Sequence, residues 1–204
     1  MDSCGDHRQT SRMSKMVSLA LLAVALLFAT SPVHAAGEVD VRTAQIAEDG
    51  SSISWGHAIA VIDQPIEEVL PVVVDYANYV HFMPNFTKSK VLAQRGNRAM
   101  VYMEVSVASG AFTLWGQLKL SEGVPEGDTR IIEARLLDGN MDAFSASWRL
   151  TPVDGGARTE VDFKIYVDPD MPLPSSVFSR ENERAAGNTV RALRTRVIET
   201  TERS

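Results

Sequence analysis

The chain of 204 residues predicts an α+β fold: seven antiparallel strands in one sheet, two short helices after the first strand, and a long C-terminal helix. Three observations carry this. Apolar residues on successive arms fall opposite one another when the strands are folded at their turn signals, as a sheet with one buried face requires. The segment "QPIEEVLPVVVD" begins as a helix begins. From Ser176 to about Arg203, apolar residues recur at helical spacing and leave a stripe that must cover a sheet face.

At the N-terminus, Lys15 precedes an apolar run from Val17 to Ala29, which Ser31 and Pro32 break before the small-residue exit Val33-His34-Ala35. This pattern predicts a secretory signal peptide over residues 1–35, cleaved after Ala35. The run is shorter than the ~20 residues of a membrane span. Met13 and Met16 lie just upstream of it, so the first twelve residues read as an over-called start. A secreted, periplasmic protein is expected.

Cys4, the only cysteine, leaves with that segment, so the mature chain is expected to fold without disulfides or thiolate metal ligands. Removing three basic and two acidic residues from 20 and 26 leaves 17 and 24, a net charge of −7. So acidic a chain lacks the cationic surface that supplies affinity for phosphate backbones, and no nucleic-acid partner is expected. About 170 residues then make one domain over residues 53–204, preceded by a polar entry segment, 36–52, with room for a short edge strand.

The first of the seven strands is "SISWGHAIAVID". After it, Pro65 stands at a first helical position with Glu67 and Glu68 in the first turn, and Ile66, Val69, Leu70, Val73 and Val74 share a face. Pro71 removes a backbone hydrogen bond and the valine run prefers strand, so this helix is expected to be short and kinked. "DYANYVHFMPNF" follows as a second short helix, dense in aromatic residues and stopped at Pro84.

Six strands then form a meander. Folding at "VASGAF" places Val107 opposite Phe112, Val105 opposite Leu114, Met103 opposite Gly116 and Val101 opposite Leu118, with Glu104 against Trp115 on the other face. A two-residue turn at Asp154-Gly155 pairs Trp148 with Val161, Ala146 with Phe163 and Phe144 with Ile165. A three-residue turn at Asp138 to Asn140 keeps Ile132 and Ala134 on the face of Ala146 and Phe144. "FTKSKVLAQ" joins through a loop at Arg95 to Arg98. The closing helix carries Phe178, Ala185, Ala186, Val190, Leu193 and Val197 as its stripe.

In this order the chain resembles the START-like (SRPBCC) superfamily, and within it the coenzyme Q-binding and polyketide cyclase/dehydrase branch. The residues that carry the resemblance are "DQPIEEVLPVVVDYANYVHFMP", "FSASWRLTPVDGGARTEVDF" and the terminal helix. It implies a helix-grip fold, a curved sheet holding the C-terminal helix with an apolar cavity between them for a lipid, isoprenoid quinone, sterol or polyketide. Pro71 departs from the family's usual first helix, and the secretion signal departs from its best-known quinone-binding members.

No catalytic signature, phosphate-binding loop or dinucleotide fingerprint is present. His57 and His81, the only histidines of the mature chain, share no metal-ligand spacing, so no metal, no cofactor and no catalytic residue is assigned. Glu104, Glu133, Arg135 and Arg149 fall on the face opposite the apolar one and read as solvated. Met103 faces Gly116, and Ala134, Ala146 and Ser106 are small, as are Ala185, Ala186 and Gly187 on the helix; this leaves room for a ligand. The expected cavity lining is Tyr79, Phe82, Met83, Met103, Val105, Leu114, Phe144, Trp148, Phe163 and Phe178, with Tyr79, Phe82 and Met83 as a gate. Trp115 and Tyr102, on the outer face, are expected to mark a surface for transient membrane or partner contact. The expected function is binding or transport of a hydrophobic small molecule. An aromatic cyclase/dehydratase using tyrosines or His81, and an interaction module with a filled core, are the alternatives.

Overall fold

The computed structural model describes residues 40–107, 110–169 and 171–203; the predicted signal peptide and its cleavage site lie outside the described residues. The elements are β1 (Arg42–Ile46), β2 (Trp55–Ile62), α1 (Ile66–Val73), a 3-10 turn (Tyr76–His81), β3 (Phe86–Arg95), β4 (Arg98–Val107), β5 (Phe112–Glu122), β6 (Arg130–Gly139), β7 (Met141–Val153), β8 (Arg158–Pro169) and α2 (Ser175–Thr201). All strands pair antiparallel in one sheet of order β1-β2-β8-β7-β6-β5-β4-β3, curved around α2 in a helix-grip arrangement. Among the described residues the sheet has eight strands where the sequence indicated seven. The eighth is β1, from the entry segment, which pairs with β2 and is exposed along its length; with no buried face it carries no apolar pattern to betray it.

α1 starts one residue later than expected, with Pro65 as its N-cap, and contains Pro71 in its last turn, where the missing N–H leaves the Glu67 carbonyl without its intrahelical donor. Its buried residues are Val69, Val72 and Val73, whereas Val74, expected on the inner face, is exposed because the helix has already ended. The 3-10 turn is held by Tyr79, whose hydroxyl donates to Val73 O at 2.5 Å, and by Ser89, which donates to Tyr76 O at 2.6 Å.

The β4–β5 register is the expected one, with Val105 opposite Leu114 and Met103 opposite Gly116. Two other registers differ by two residues. Trp148 pairs with Phe163, Ala146 with Ile165 and Phe144 with Val167, because the β7–β8 connection is wider than a two-residue turn, with Asp154, Gly155 and Gly156 all at positive φ. Ile132 pairs with Trp148 and Ala134 with Ala146; β6 and β7 part beyond Arg135 and Ser145 instead of closing in a tight hairpin. A shift of two leaves every side chain on its predicted face, so the apolar pattern could not discriminate.

α2 packs against β2, β8, β1 and α1. The inward residues of β2 are Gly56, Ala58, Ala60 and Ile62, and the first three are small enough to admit the helix backbone. A Cβ on Gly56 would stand 1.9 Å from Asn182 O. Ala186, Val190, Leu193 and Val197 are fully buried there. Polar side chains fasten the helix as well: Ser54 N–H donates to Ser179 Oγ at 2.9 Å, and Asn182 Nδ2 donates to Ser54 O at 3.1 Å.

Candidate functional site

Where β3 to β7 curve away from α2, they leave a cavity of about 800 Å³ between the sheet's concave face and the helix. Nine of the ten predicted lining residues border it. Met103 and Val105 from β4 and Leu114 from β5 form one wall, while Phe144 and Trp148 from β7 and Phe163 from β8 form the floor. The alternation of the strands sends these side chains inward, and Trp148 and Phe163 stack with ring centroids 4.1 Å apart. Tyr79 and Met83 close one end and Phe178 stands on the helix side.

Phe82 is the exception. Its ring lies edge-on to Tyr79 at 5.5 Å, with the Arg196 guanidinium of α2 over it at 5.6 Å, so it anchors the 3-10 turn to α2 outside the cavity. Nor do Tyr79 and Met83 have the exposure of a gate. Both are buried, and Tyr79 packs edge-on against Tyr76, Phe82 and Phe86 as part of a fixed wall. Burial, with the neighbouring Tyr76 and Asp75, pushes the Tyr79 phenol far above its ordinary range.

Two of the small residues play another part than making room. A Cβ on Gly116 would meet Leu136 Cδ1 at 2.9 Å and Met141 Cε at 3.1 Å, so neighbours already fill that space. Gly187 faces Thr43 of β1, 2.9 Å from where its Cβ would be. Gly116 still borders the cavity, as do Ser106, Ala134, Ala146 and Ala185.

Sequence reasoning missed the polar side of the lining. Glu181, Asn182, Arg184, Asn188 and Thr189 of α2 all border the cavity, and Glu181, Arg184 and Asn188 follow Val177 at helical intervals of four, seven and eleven residues. Their polarity made this face read as solvated. Ile132, Leu118 and Leu120, inward by strand phase, were legible and complete the floor.

The outer face is as expected a solvated one. Lys88 pairs with Glu104 at 2.9 Å and Arg149 with Glu126 at 2.9 Å. Tyr102 donates to Glu104 at 2.6 Å, and with Lys88 this holds the Glu104 carboxyl below the usual range. Trp115 and Tyr102 are half-buried, with rings 6.0 Å apart. His57 sits 3.0 Å from Asp162, and His81 is exposed on the 3-10 turn; neither borders the cavity. Among the described residues, no three His, Cys, Asp or Glu side chains are grouped to hold a metal ion, and no helix is long and apolar enough to cross a membrane.

The family model described as polyketide cyclase / dehydrase and lipid transport matches residues 62–194. No curated protein matches the sequence. Among solved structures, the fold is similar to a STAR-related lipid transfer protein from Xanthomonas axonopodis, with a TM-score of 0.66 at 15% identity over 77% of this chain and 98% of that one. It is similar to human StAR-related lipid transfer protein 5, at 0.66 and 12% over 79% and 88%. It is also similar to the Zhui aromatase/cyclase of a Streptomyces species, at 0.53 and 16% over 72% and 94%. At such identities the likeness is one of fold.

Proposed function

The chain belongs to the polyketide cyclase / dehydrase and lipid transport family, and from that premise we propose that it binds a hydrophobic small molecule in the cavity and carries it shielded from water. The observation that carries this is the cavity itself, about 800 Å³ and bordered by Met103, Leu114, Phe144, Trp148 and Phe163. Apolar space of that size is costly to keep empty, and a ligand that fills it is stabilised by apolar burial at ~25 cal/mol per Å² less the cost of ordering. A filled-core interaction module has no use for such a space.

An isoprenoid quinone, as in the coenzyme Q-binding branch, a sterol or another lipid suits the volume and the lining. The lipid transfer neighbours favour this class. Of the groups the sequence offered as a cyclase's acid or base, His81 stands outside the lining and the Tyr79 hydroxyl is committed to Val73 O, and the one carboxylate among the described lining residues, Glu181, is paired with Arg184. The secretory signal read in residues 1–35 supports a carrier that works in the periplasm. Phe112 and Leu173, 51% and 49% exposed, lie beside the cavity at the β4–β5 tip and before α2, where transient contact with a membrane would pass the ligand.

The test is to express the chain from Met1 in an envelope-bearing bacterium, purify it from the periplasmic fraction without detergent, and extract it for mass spectrometry. A near-stoichiometric lipid or quinone, lost in a folded Trp148→Ala variant, and a protein mass beginning at Ala36 are expected. A clean extract together with no uptake from lipid vesicles would defeat the carrier reading.

A further inference from the structure

Asn182 has a side chain that the packing of α2 does not fully account for. It is 3% exposed, yet it borders the cavity. Its Nδ2 donates to Ser54 O at 3.1 Å and to Val167 O at 3.3 Å, which uses both amide hydrogens and fixes which end of the amide is nitrogen, since two carbonyls demand a donor. Ser54 precedes β2 and Val167 lies two residues past the last β2–β8 pair, Gly56 with Ile165, so the amide plugs the place where the β2–β8 ladder stops. The Oδ1 atom accepts no hydrogen bond from the described residues. Among the described residues no buried side-chain polar atom lacks a partner, so this oxygen keeps access to free space, and the space that Asn182 borders is the cavity.

We infer that Asn182 Oδ1 is the polar selector of the cavity, and that it favours a ligand carrying a hydroxyl donor, such as a free sterol, a fatty alcohol or glyceride, or a quinol, over the same skeleton without one. This deepens the carrier reading and rests on it. A ligand that fills the cavity displaces water from the oxygen. A hydroxyl replaces the lost hydrogen bond, whereas an ether, an ester or a quinone carbonyl sets one acceptor against another and leaves the oxygen bare in an apolar surrounding, where the penalty is greatest. The discrimination is asymmetric for that reason, because a site with a committed polar group rejects the analogue that cannot satisfy it.

The experiment compares 1-hexadecanol with 1-methoxyhexadecane, the same flexible chain with the donor removed, by displacement of a fluorescent apolar dye from the purified, delipidated protein. The alcohol is expected to bind roughly tenfold tighter. That preference should shrink toward one in Asn182→Leu and persist in Ser106→Ala and Thr189→Val, which alter other polar groups of the lining. Because Asn182→Leu also strips two backbone carbonyls of their donor, a crystal structure of the alcohol complex supplies a check free of variants, with the hydroxyl oxygen within hydrogen-bond distance of Asn182 Oδ1. Equal affinities of the two compounds, or a preference that follows Thr189 or Ser106, would overturn the inference and leave the carrier reading standing. If neither compound binds and no lipid co-purifies, the carrier reading fails and takes the inference with it.

Discussion

The two arms of the sheet treat the same helix differently. On the β1-β2-β8 arm, Gly56, Ala58 and Ala60 let α2 lie against the strand backbone, and the contact is closed. On the β3 to β6 arm, Met103, Leu114 and Leu118 point at the helix without reaching it, and the cavity is what remains between. Large inward side chains do not by themselves fill a core; the curvature of the strands decides whether they meet anything. Here the closed arm fixes the helix, and the open arm is free to hold something else.

The contrast is most easily broken from the closed side. Leu193, fully buried where α2 meets that arm, should lose about 3–5 kcal/mol on substitution by alanine, because tight packing prevents the site from collapsing. Chemical denaturation of the delipidated protein measures this. A loss below about 1 kcal/mol would mean that the closed arm is as loosely packed as the open one. Gly56→Ala comes next, at about 2–3 kcal/mol, since its Cβ meets helix backbone that cannot rotate away. The helix must then stand off β2, and ligand affinity should fall along with stability. If affinity holds while stability falls, the cavity does not depend on the seat of the helix.

On the open side, Leu114→Ala removes the same three side-chain carbons as Leu193→Ala. It should cost only about 1 kcal/mol without ligand, because Leu114 is half-buried and already borders free space, so little new void is enclosed. Its larger effect should appear with ligand bound, as a smaller rise in Tm on loading than the wild type shows. Equal losses for Leu114 and Leu193 in the unloaded protein would erase the distinction between the arms.

How much of this was legible in the sequence follows from the same contrast. The β4–β5 hairpin was readable to the residue, because Val105 opposite Leu114 and Met103 opposite Gly116 leave one sensible register. The β6–β7 and β7–β8 registers were readable only to within two residues, since a shift of two keeps Ile132, Ala146 and Phe163 inward. β1 was not legible as a counted strand, because Arg42 to Ile46 bury nothing. Nine lining residues were reachable through strand phase and aromatic density, but those same cues placed Phe82 in the cavity, when in fact Arg196 and Tyr79 hold it outside. Asn182 and Glu181 were invisible for the opposite reason. Polar residues on a helix read as solvent-facing unless something shows that the helix turns them toward an enclosed space.

The smallest expected effect lies where the two arms part. β7 carries an irregularity between Met141 and Ala143, leaving Asp142 out of the ladder close to Asp168 of β8. Burial, and then the nearby Asp142 charge, raise the Asp168 carboxyl above its ordinary 3.8. A raised carboxyl means that the folded protein holds a proton which the unfolded chain releases over the window from 3.8 up to the raised value. Stability therefore falls as pH rises through that window and stays lower above it. Asp168→Asn should accordingly stabilise at neutral pH, by less than about 0.5 kcal/mol once solvent screening is allowed for. The gain should vanish below the ordinary carboxyl value, where Asp168 is protonated in both states. Urea unfolding of both proteins at pH 7 and pH 3 measures the difference. A gain that persists at pH 3 would trace to packing of the amide, and the parting of the arms would then carry no electrostatic cost of its own.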